Sequence, residues 1–255
     1  MIYIKSDSEI EKMREACKIV GLCHKAVGEN IKVGMSTMDI EHIVVDVIKK
    51  HGAIASFKGV EGMDGAVPYP YATCVSINDE IIHGMPNKKR IIQDGDIVSV
   101  DIGAYKNGFH GDSAKTYMVG NVSDEAKRLV EVTRQSFYEG IKYAKVGYRL
   151  SDISHAIQKY AEANGFSVVR EFQGHGVGRN LHEEPGIPNY GKPGRGPRLE
   201  KGMTLAIEPM INEGDYEIDI LEDNWGIVTY DGKLSAHYEH TILITNNEPE
   251  LLTKV

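Results

Sequence analysis

The chain has 255 residues, 41% of them hydrophobic and 26% charged, with a formal net charge of −8 at pH 7. That length buries a sizeable core in one domain or in two closely joined halves. The acidic balance and the absence of a Lys/Arg-rich block exclude nucleic acid as the main partner, because a phosphate backbone needs clustered cations.

The first residues, Met1 to Asp7, lack the apolar core of a signal peptide, and nowhere do eighteen consecutive apolar residues occur. The chain therefore reads as cytoplasmic. Ser6 and Glu9 have capping-box spacing, and Ile10, Met13, Cys17, Val20, His24 and Val27 follow at three- and four-residue steps, the pattern of an amphipathic helix. Cys17 and His24 lie on its apolar face and read as packing residues. Cys17, Cys23 and Cys74 lack Cys-x-x-Cys spacing, which favours reduced thiols over a disulfide framework or a structural zinc site. Ser36 and Thr37 then cap a second helix through Ile40, Ile43, Val44, Val47 and Ile48, ending near Gly52.

A second helix pair is predicted over Asp124 to Ala144 and Leu150 to Asn164. A shift of 113 positions places Lys32-Val33-Gly34 on Lys145-Val146-Gly147, Asp39-Ile40 on Asp152-Ile153, His42 on His155 and Gly52 on Gly165. This reads as a duplicated helix-helix-sheet unit, with half-domains at about 1–120 and 121–255 and a ligand cleft between them. His42 and His155 belong to the scaffold in this reading.

Between the helix pairs, Tyr71 to Ile77 reads as a strand and Asn78-Asp79-Glu80 as its turn, which leaves His83 on a loop just beyond. In Asp96 to Gly103 the period-two rule puts Val98, Val100 and Ile102 on one face and Asp101 on the other. Asn107-Gly108 is a strong hairpin signal, pairing Lys106 with Phe109 and Gly103 with Asp112. Asp112 then shares a face with Asp101, one diagonal step away at about 7–8 Å between backbones. Two such carboxylates repel unless cations stand near, and the local sequence supplies none.

The stretch Gly174-His175-Gly176-Val177-Gly178-Arg179-Asn180-Leu181-His182-Glu183-Glu184-Pro185 sets two imidazoles seven residues apart. Its glycines allow positive φ and close backbone approach, and the stretch reads as a loop. Met203 to Pro209 is an apolar strand ending in Glu208, and Tyr238 to Ile244 is another that starts with Glu239. Four carboxylates with His175 form an oxygen-rich donor set with one nitrogen. Such a set suits a pair of hard or borderline divalent ions about 3.5–4 Å apart, with Mn, Fe, Co and Zn all compatible.

The segments Asn78 to Pro86, Gly95 to Gly120, Gly174 to Pro185, Gly202 to Met210 and Ser235 to Thr241 together resemble those of the type I methionine aminopeptidase family. The resemblance covers nearly the whole chain and implies an α+β pita-bread fold, a pseudo-twofold pair of helix-helix-sheet halves around a central antiparallel sheet. It also implies that Asp101, Asp112, His175, Glu208 and Glu239 hold two divalent ions, with Asp112 and Glu239 bridging. His83 and His182 become non-ligand histidines that contact substrate. Glu208 becomes the proton shuttle for a metal-activated water, His182 the group that stabilises the carbonyl oxygen, and His83 a guide for the backbone or leaving nitrogen.

The implied reaction is removal of amino-terminal methionine from peptides and nascent proteins whose second residue is small. Tyr69, Cys74, Trp225 and Leu181 are candidates for the wall of the methionine pocket. A monomer, with transient ribosome association, is the implied working form. This sequence departs from the family in a longer run from Val60 to Val67, in Leu181 where an aromatic is common, and in His237 where glutamine is common. Two other readings use the same residues: an aminopeptidase or dipeptidase acting before proline, which ordinarily carries a large amino-terminal domain, and a non-catalytic module of the same fold, which would have shed ligands that are intact here.

Overall fold

The computed structural model describes residues 1–62 and 66–255. Its first half runs α1 (Asp7–Asn30), α2 (Thr37–Lys50), β1 (Ile54–Ala55), β2 (Thr73–Ile77), β3 (Glu80–Ile82), β4 (Ile97–Lys106) and β5 (Phe109–Met118). The second begins with α3 (Asp124–Ile141) and α4 (Leu150–Ala163), followed by β6 (Ser167–Val168), β7 (Gly174–Gly176), β8 (Glu183–Ile187) and β9 (Thr204–Ile207). It closes with β10 (Met210–Asn212), β11 (Ile218–Ile220), β12 (Ile227–Thr229), β13 (Ser235–His237), β14 (His240–Leu243) and β15 (Glu250–Leu251).

The helix starts follow from their caps. The Ser6 backbone N–H donates to Glu9 at 2.9 Å, and the Ser36 N–H to Asp39 at 2.8 Å, each satisfying a donor that the helix itself leaves unpaired. Asp152 accepts from the Arg149 N–H in the same way at the start of α4. On α1 the predicted stripe is buried at Ile10, Met13, Cys17, Val20 and Val27. Each such side chain contributes about 1.5–3 kcal/mol of burial. His24, on the same stripe, reaches the sheet, where its Nε2 donates to the Ser113 carbonyl at 2.9 Å.

Offsets between the halves are regular. α2 and α4 each have 14 residues and start 113 positions apart, as do β1 and β6. The glycines that follow these helices, Gly52 and Gly165, both take positive φ. Each half covers its strands with its own helices: α1 and α2 bury Val20, Val27, Ile40 and Val44 against β2 and β4, while α3 and α4 bury Phe137, Ile153 and Ile157 against the sheet containing β9 and β14.

In the first half β4 pairs with β1 and β2 along one edge and with β5 along the other, all antiparallel. The hairpin register is the one the Asn107-Gly108 turn requires, with Lys106 opposite Phe109 and Gly103 opposite Asp112. The second half orders its largest sheet β15-β14-β9-β7-β8. The halves join where β5 meets the β13–β14 segment. There the Glu239 N–H donates to Ala114 O at 2.8 Å, and Ser113 Oγ donates to Glu239 O at 2.5 Å.

Two expectations need correction. The glycine-rich stretch read as a loop, yet Gly174–Gly176 is a strand between β9 and β8. Its glycines serve close approach rather than positive φ: a Cβ on Gly174 would stand 2.4 Å from Ala206 O, and one on Gly176 2.3 Å from Glu184 O. The strand expected from Tyr71 begins at Thr73, because the buried Glu41 carboxylate takes the Ala72 and Thr73 N–H groups at 2.9 and 3.0 Å.

Candidate metal centre

The face of β4 and β5 that carries Asp101 and Asp112 is covered by the second half, whose strands bring three more groups against them. The Asp112 backbone is clamped twice by Thr241, whose Oγ1 accepts from its N–H at 3.0 Å and donates to its carbonyl at 2.8 Å. Glu208 follows β9 and has its carbonyl held by Asn189 Nδ2 at 3.0 Å. His175 sits in the middle of β7, opposite Ala206. Its Nδ1 lies 2.7 Å from the Gly176 carbonyl and so must carry the proton, which leaves the Nε2 lone pair facing the acids.

Donor atoms of Asp112, His175 and Glu239 lie within 4.8 Å of one another. His175 Nε2 is 3.7 Å from Asp112 Oδ2 and 3.6 Å from Glu208 Oε1, so Glu208 adjoins the same group. Asp101 stands outside that cluster of three, and its charge acts on Asp112. Burial pushes Asp101 up to about 7. Asp112, Glu208 and Glu239 are driven well above the usual carboxylate range, first by burial and then by the neighbouring carboxylates, Asp101 among them in each case. Burial and neighbouring His182 take His175 down to about 3, so its ring is neutral.

The donor chemistry fits divalent cations. Asp101 Oδ1, Asp112 Oδ1 and Glu239 Oε1 are buried with no hydrogen-bond partner, a cost of about 1–3 kcal/mol each for a neutral group and more for a charge. A charge of +2 or more among four carboxylates and one imidazole lone pair removes that cost and lets all four ionise at neutral pH.

Beside the acids lies a cavity of about 740 Å³, with no lysine or arginine among its described lining residues. Its inner wall is an apolar cluster of Phe57, Tyr69, Cys74, Leu181 and Trp225. The Trp225 indole N–H donates to Val67 O at 2.8 Å, and Tyr69 meets its ring edge-on at 4.9 Å. Tyr69 in turn donates its hydroxyl to Thr73 O at 2.9 Å. His182, next to Leu181 in the lining, has its ring 4.5 Å from that of His175, and burial lowers its pKa. His83, held at φ 60°, packs edge-on to Phe172 and Trp225, and burial brings it to about 4.

A sequence model described as metallopeptidase family M24 matches residues 11–246. The chain is 54% identical to methionine aminopeptidase 1 of Bacillus subtilis over 255 residues, covering all of both chains. It is 51% identical to the methionine aminopeptidase of Clostridium perfringens, again over the full length of both. The chain belongs to metallopeptidase family M24, in its methionine aminopeptidase branch.

The crystal structure of a methionine aminopeptidase from Thermotoga maritima superimposes with a TM-score of 0.96 at 51% identity, with both chains fully covered. A prolidase from Pyrococcus furiosus shares the fold at a TM-score of 0.77 and 24% identity, with 65% of its chain covered. The M24 fold is thus the α+β pita-bread arrangement of helices and antiparallel sheets. Membership in a metallopeptidase family agrees with a donor set suited to divalent metal. Among the described residues no helix is long and apolar enough to cross a membrane.

Within this M24 site, Tyr69, Cys74, Leu181 and Trp225 come together as one wall, with Cys74 opposite Asp101 on adjacent strands. Sequence reasoning missed Phe57, which lies in the irregular segment after β1, where no periodicity marks an inward-facing side chain. It also missed Asn189, whose signal is a lone polar residue among prolines and glycines. In the longer run from Val60 to Val67, residues 63–65 lie outside the described residues.

Proposed function

We propose that this chain removes amino-terminal methionine from peptides and nascent proteins, with two divalent ions held by Asp101, Asp112, His175, Glu208 and Glu239. Asp112 and Glu239, whose donor atoms group with that of His175, are central to holding them, and Mn, Fe, Co and Zn all suit the donors. The observation that carries this reading is the set of orphaned carboxylate oxygens converging with His175 in the lining of a cavity whose wall also holds an apolar cluster. Divalent ions there supply Lewis acidity and lower the pKa of an attacking water.

The chain's own residues supply position and proton transfer. Phe57, Tyr69, Cys74, Leu181 and Trp225 take the methionine side chain, excluding water from it. Glu208, at the edge of the cluster, accepts a proton and returns it to the leaving nitrogen. His182 donates a hydrogen bond to the carbonyl oxygen as charge develops there, and His83 holds the peptide backbone across the cleft. A pocket that encloses one side chain leaves the next against the cleft wall, so Gly, Ala or Ser is favoured second. The working unit is a cytoplasmic monomer of one catalytic domain, with two half-domains at about 1–120 and 121–255 and transient access to the ribosome.

A mixed pool of Met-Ala-Ser, Met-Lys-Ser, Leu-Ala-Ser and Ala-Pro-Ser, offered to chelator-stripped protein reloaded with manganese and read by mass spectrometry, tests this. Cleavage of Met-Ala-Ser alone, and only with metal, is the expected result. Cleavage of Ala-Pro-Ser instead would show that the pocket is misassigned.

A further inference from the structure

The pairing registers set the two halves against each other residue by residue. Ala55 pairs with Ala104 in the first half and Val168 with Ile211 in the second; Ala104 pairs in turn with Gly111, and Ile211 with Ala236. Ala55 and Val168 are the positions related by the 113-residue offset, so Ala104 matches Ile211 and Gly111 matches Ala236. Three residues back along the first pair of strands, Asp101 matches Glu208. One residue on along the second, Asp112 matches His237. The register does not slip on the way, since Ile207 pairs with His240 and Met210 with His237. At these matched positions the first half carries two acids, and the second an acid and an imidazole.

The side chains agree with that match. His237 is 2% exposed, and its Nε2 has no hydrogen-bond partner. That atom lies 3.9 Å from Glu208 Oε2, while Glu208 Oε1 lies 3.6 Å from His175 Nε2. The carboxylate thus stands between two imidazoles, one in the candidate ligand set and one outside it. The His237 backbone is fixed to the strand that carries Asp112: its N–H donates to Thr116 Oγ1 at 3.0 Å, and its carbonyl accepts from the same hydroxyl at 2.9 Å. On a backbone held this firmly, the buried ring turns its unpaired Nε2 toward Glu208.

We propose that His237 is a positioning residue that donates from Nε2 to Glu208 Oε2 and so holds Glu208 Oε1 toward the cations. The inference rests on the reading of Glu208 as a ligand. The 3.9 Å separation is longer than a hydrogen bond. Contacts of this kind shorten when the charges they serve are in place. A glutamine side chain offers an N–H donor of similar reach; a leucine fills the space and offers none.

Two measurements test it. In histidine-labelled protein loaded with zinc, nitrogen NMR reads the proton on His237 directly, with no substitution to disturb folding. A proton on Nε2 is expected, and a bare Nε2 overturns the proposal. Calorimetric titration with manganese then compares the parent protein with His237→Leu and His237→Gln. The leucine variant should bind at least one ion roughly tenfold more weakly and lose kcat with KM little changed, while glutamine stays within about threefold of the parent. A leucine variant that binds as the parent does, or a glutamine variant as weak as leucine, overturns the proposal. A parent that binds no manganese removes the metal centre and this inference together; a parent that binds and hydrolyses beside an unaffected leucine variant removes the inference alone.

Discussion

Replacing Lys5 with methionine tests how the amino-terminal segment supports the rim that carries His182. Lys5 Nζ lies 2.6 Å from Glu183 Oε2, and the two side chains are only 4% and 3% exposed. The other oxygen of Glu183 accepts from the Asn180 N–H at 3.2 Å, so a single carboxylate ties residues 180–183 to the start of the chain. Gly178 leaves the room, since a Cβ there would lie 2.6 Å from Lys5 Cε and 2.7 Å from Glu183 Oε1. Lys5→Met keeps the aliphatic stem and strands a carboxylate in a closed space, which costs about 3–5 kcal/mol when one partner of a buried pair is removed. For a domain of this size that corresponds to a fall in Tm of roughly 6–20 °C. Urea unfolding followed by circular dichroism measures the loss, and kcat on Met-Ala-Ser should fall with it because His182 is the next residue along. Lys5→Met with Glu183→Gln should recover part of the stability by removing the stranded charge. A single variant that loses less than about 1 kcal/mol, the range of exposed pairs, would refute the reasoning.

Three further outcomes follow from other parts of the fold. Glu41→Ala strips acceptors from the Ala72 and Thr73 N–H groups and from Thr73 Oγ1, and should cost about 2–4 kcal/mol in urea unfolding; a loss within 0.5 kcal/mol, about that of a surface change, would show that water replaces the carboxylate. Gly174→Ala forces a Cβ to within 2.4 Å of Ala206 O and should separate β7 from β9, so metal binding and hydrolysis should both fall sharply in soluble protein; unchanged manganese affinity would contradict this. Burial lowers His24 from 6.5 to about 4, so the unfolded chain takes up a proton first as pH falls. That contribution is fully present above pH 6.5 and is lost between 6.5 and 4, amounting to about 3 kcal/mol. Urea midpoints of the parent and His24→Gln should therefore diverge over that window, and parallel curves would sink the prediction.

Much of the fold was readable because local signals and long-range order agree. The Asn107-Gly108 turn sets the register of β4 and β5, and that register alone brings Asp112 onto the face of Asp101. The caps at Ser6 and Ser36 mark helix starts, and the 113-residue offset locates α4 and β6 from α2 and β1. Gly174–Gly176 was misread because glycine signals a loop locally, whereas here it is selected by crowding from strands far along the chain. No sequence pattern announces the partnership of Lys5 and Glu183, which is made only when the segment before α1 docks on Gly202, whose carbonyl accepts from the Lys5 N–H at 2.9 Å. Phe57 is similar: it enters the pocket from an irregular segment whose path depends on Gly103, where a Cβ would stand 2.7 Å from its ring. The four acids of the centre were legible because each stands in or beside an apolar β-rich segment, whereas His175 was marked only by its glycine-rich setting.

The central claim is that this chain is built around a pair of divalent ions, and calorimetric titration of chelator-stripped protein with manganese, run beside hydrolysis of Met-Ala-Ser, tests it most directly. The account predicts two ions per chain, activity that rises with occupancy, and loss of at least one ion in Asp112→Asn. Full hydrolysis by stripped protein, or two ions bound just as tightly after Asp112→Asn, would contradict it.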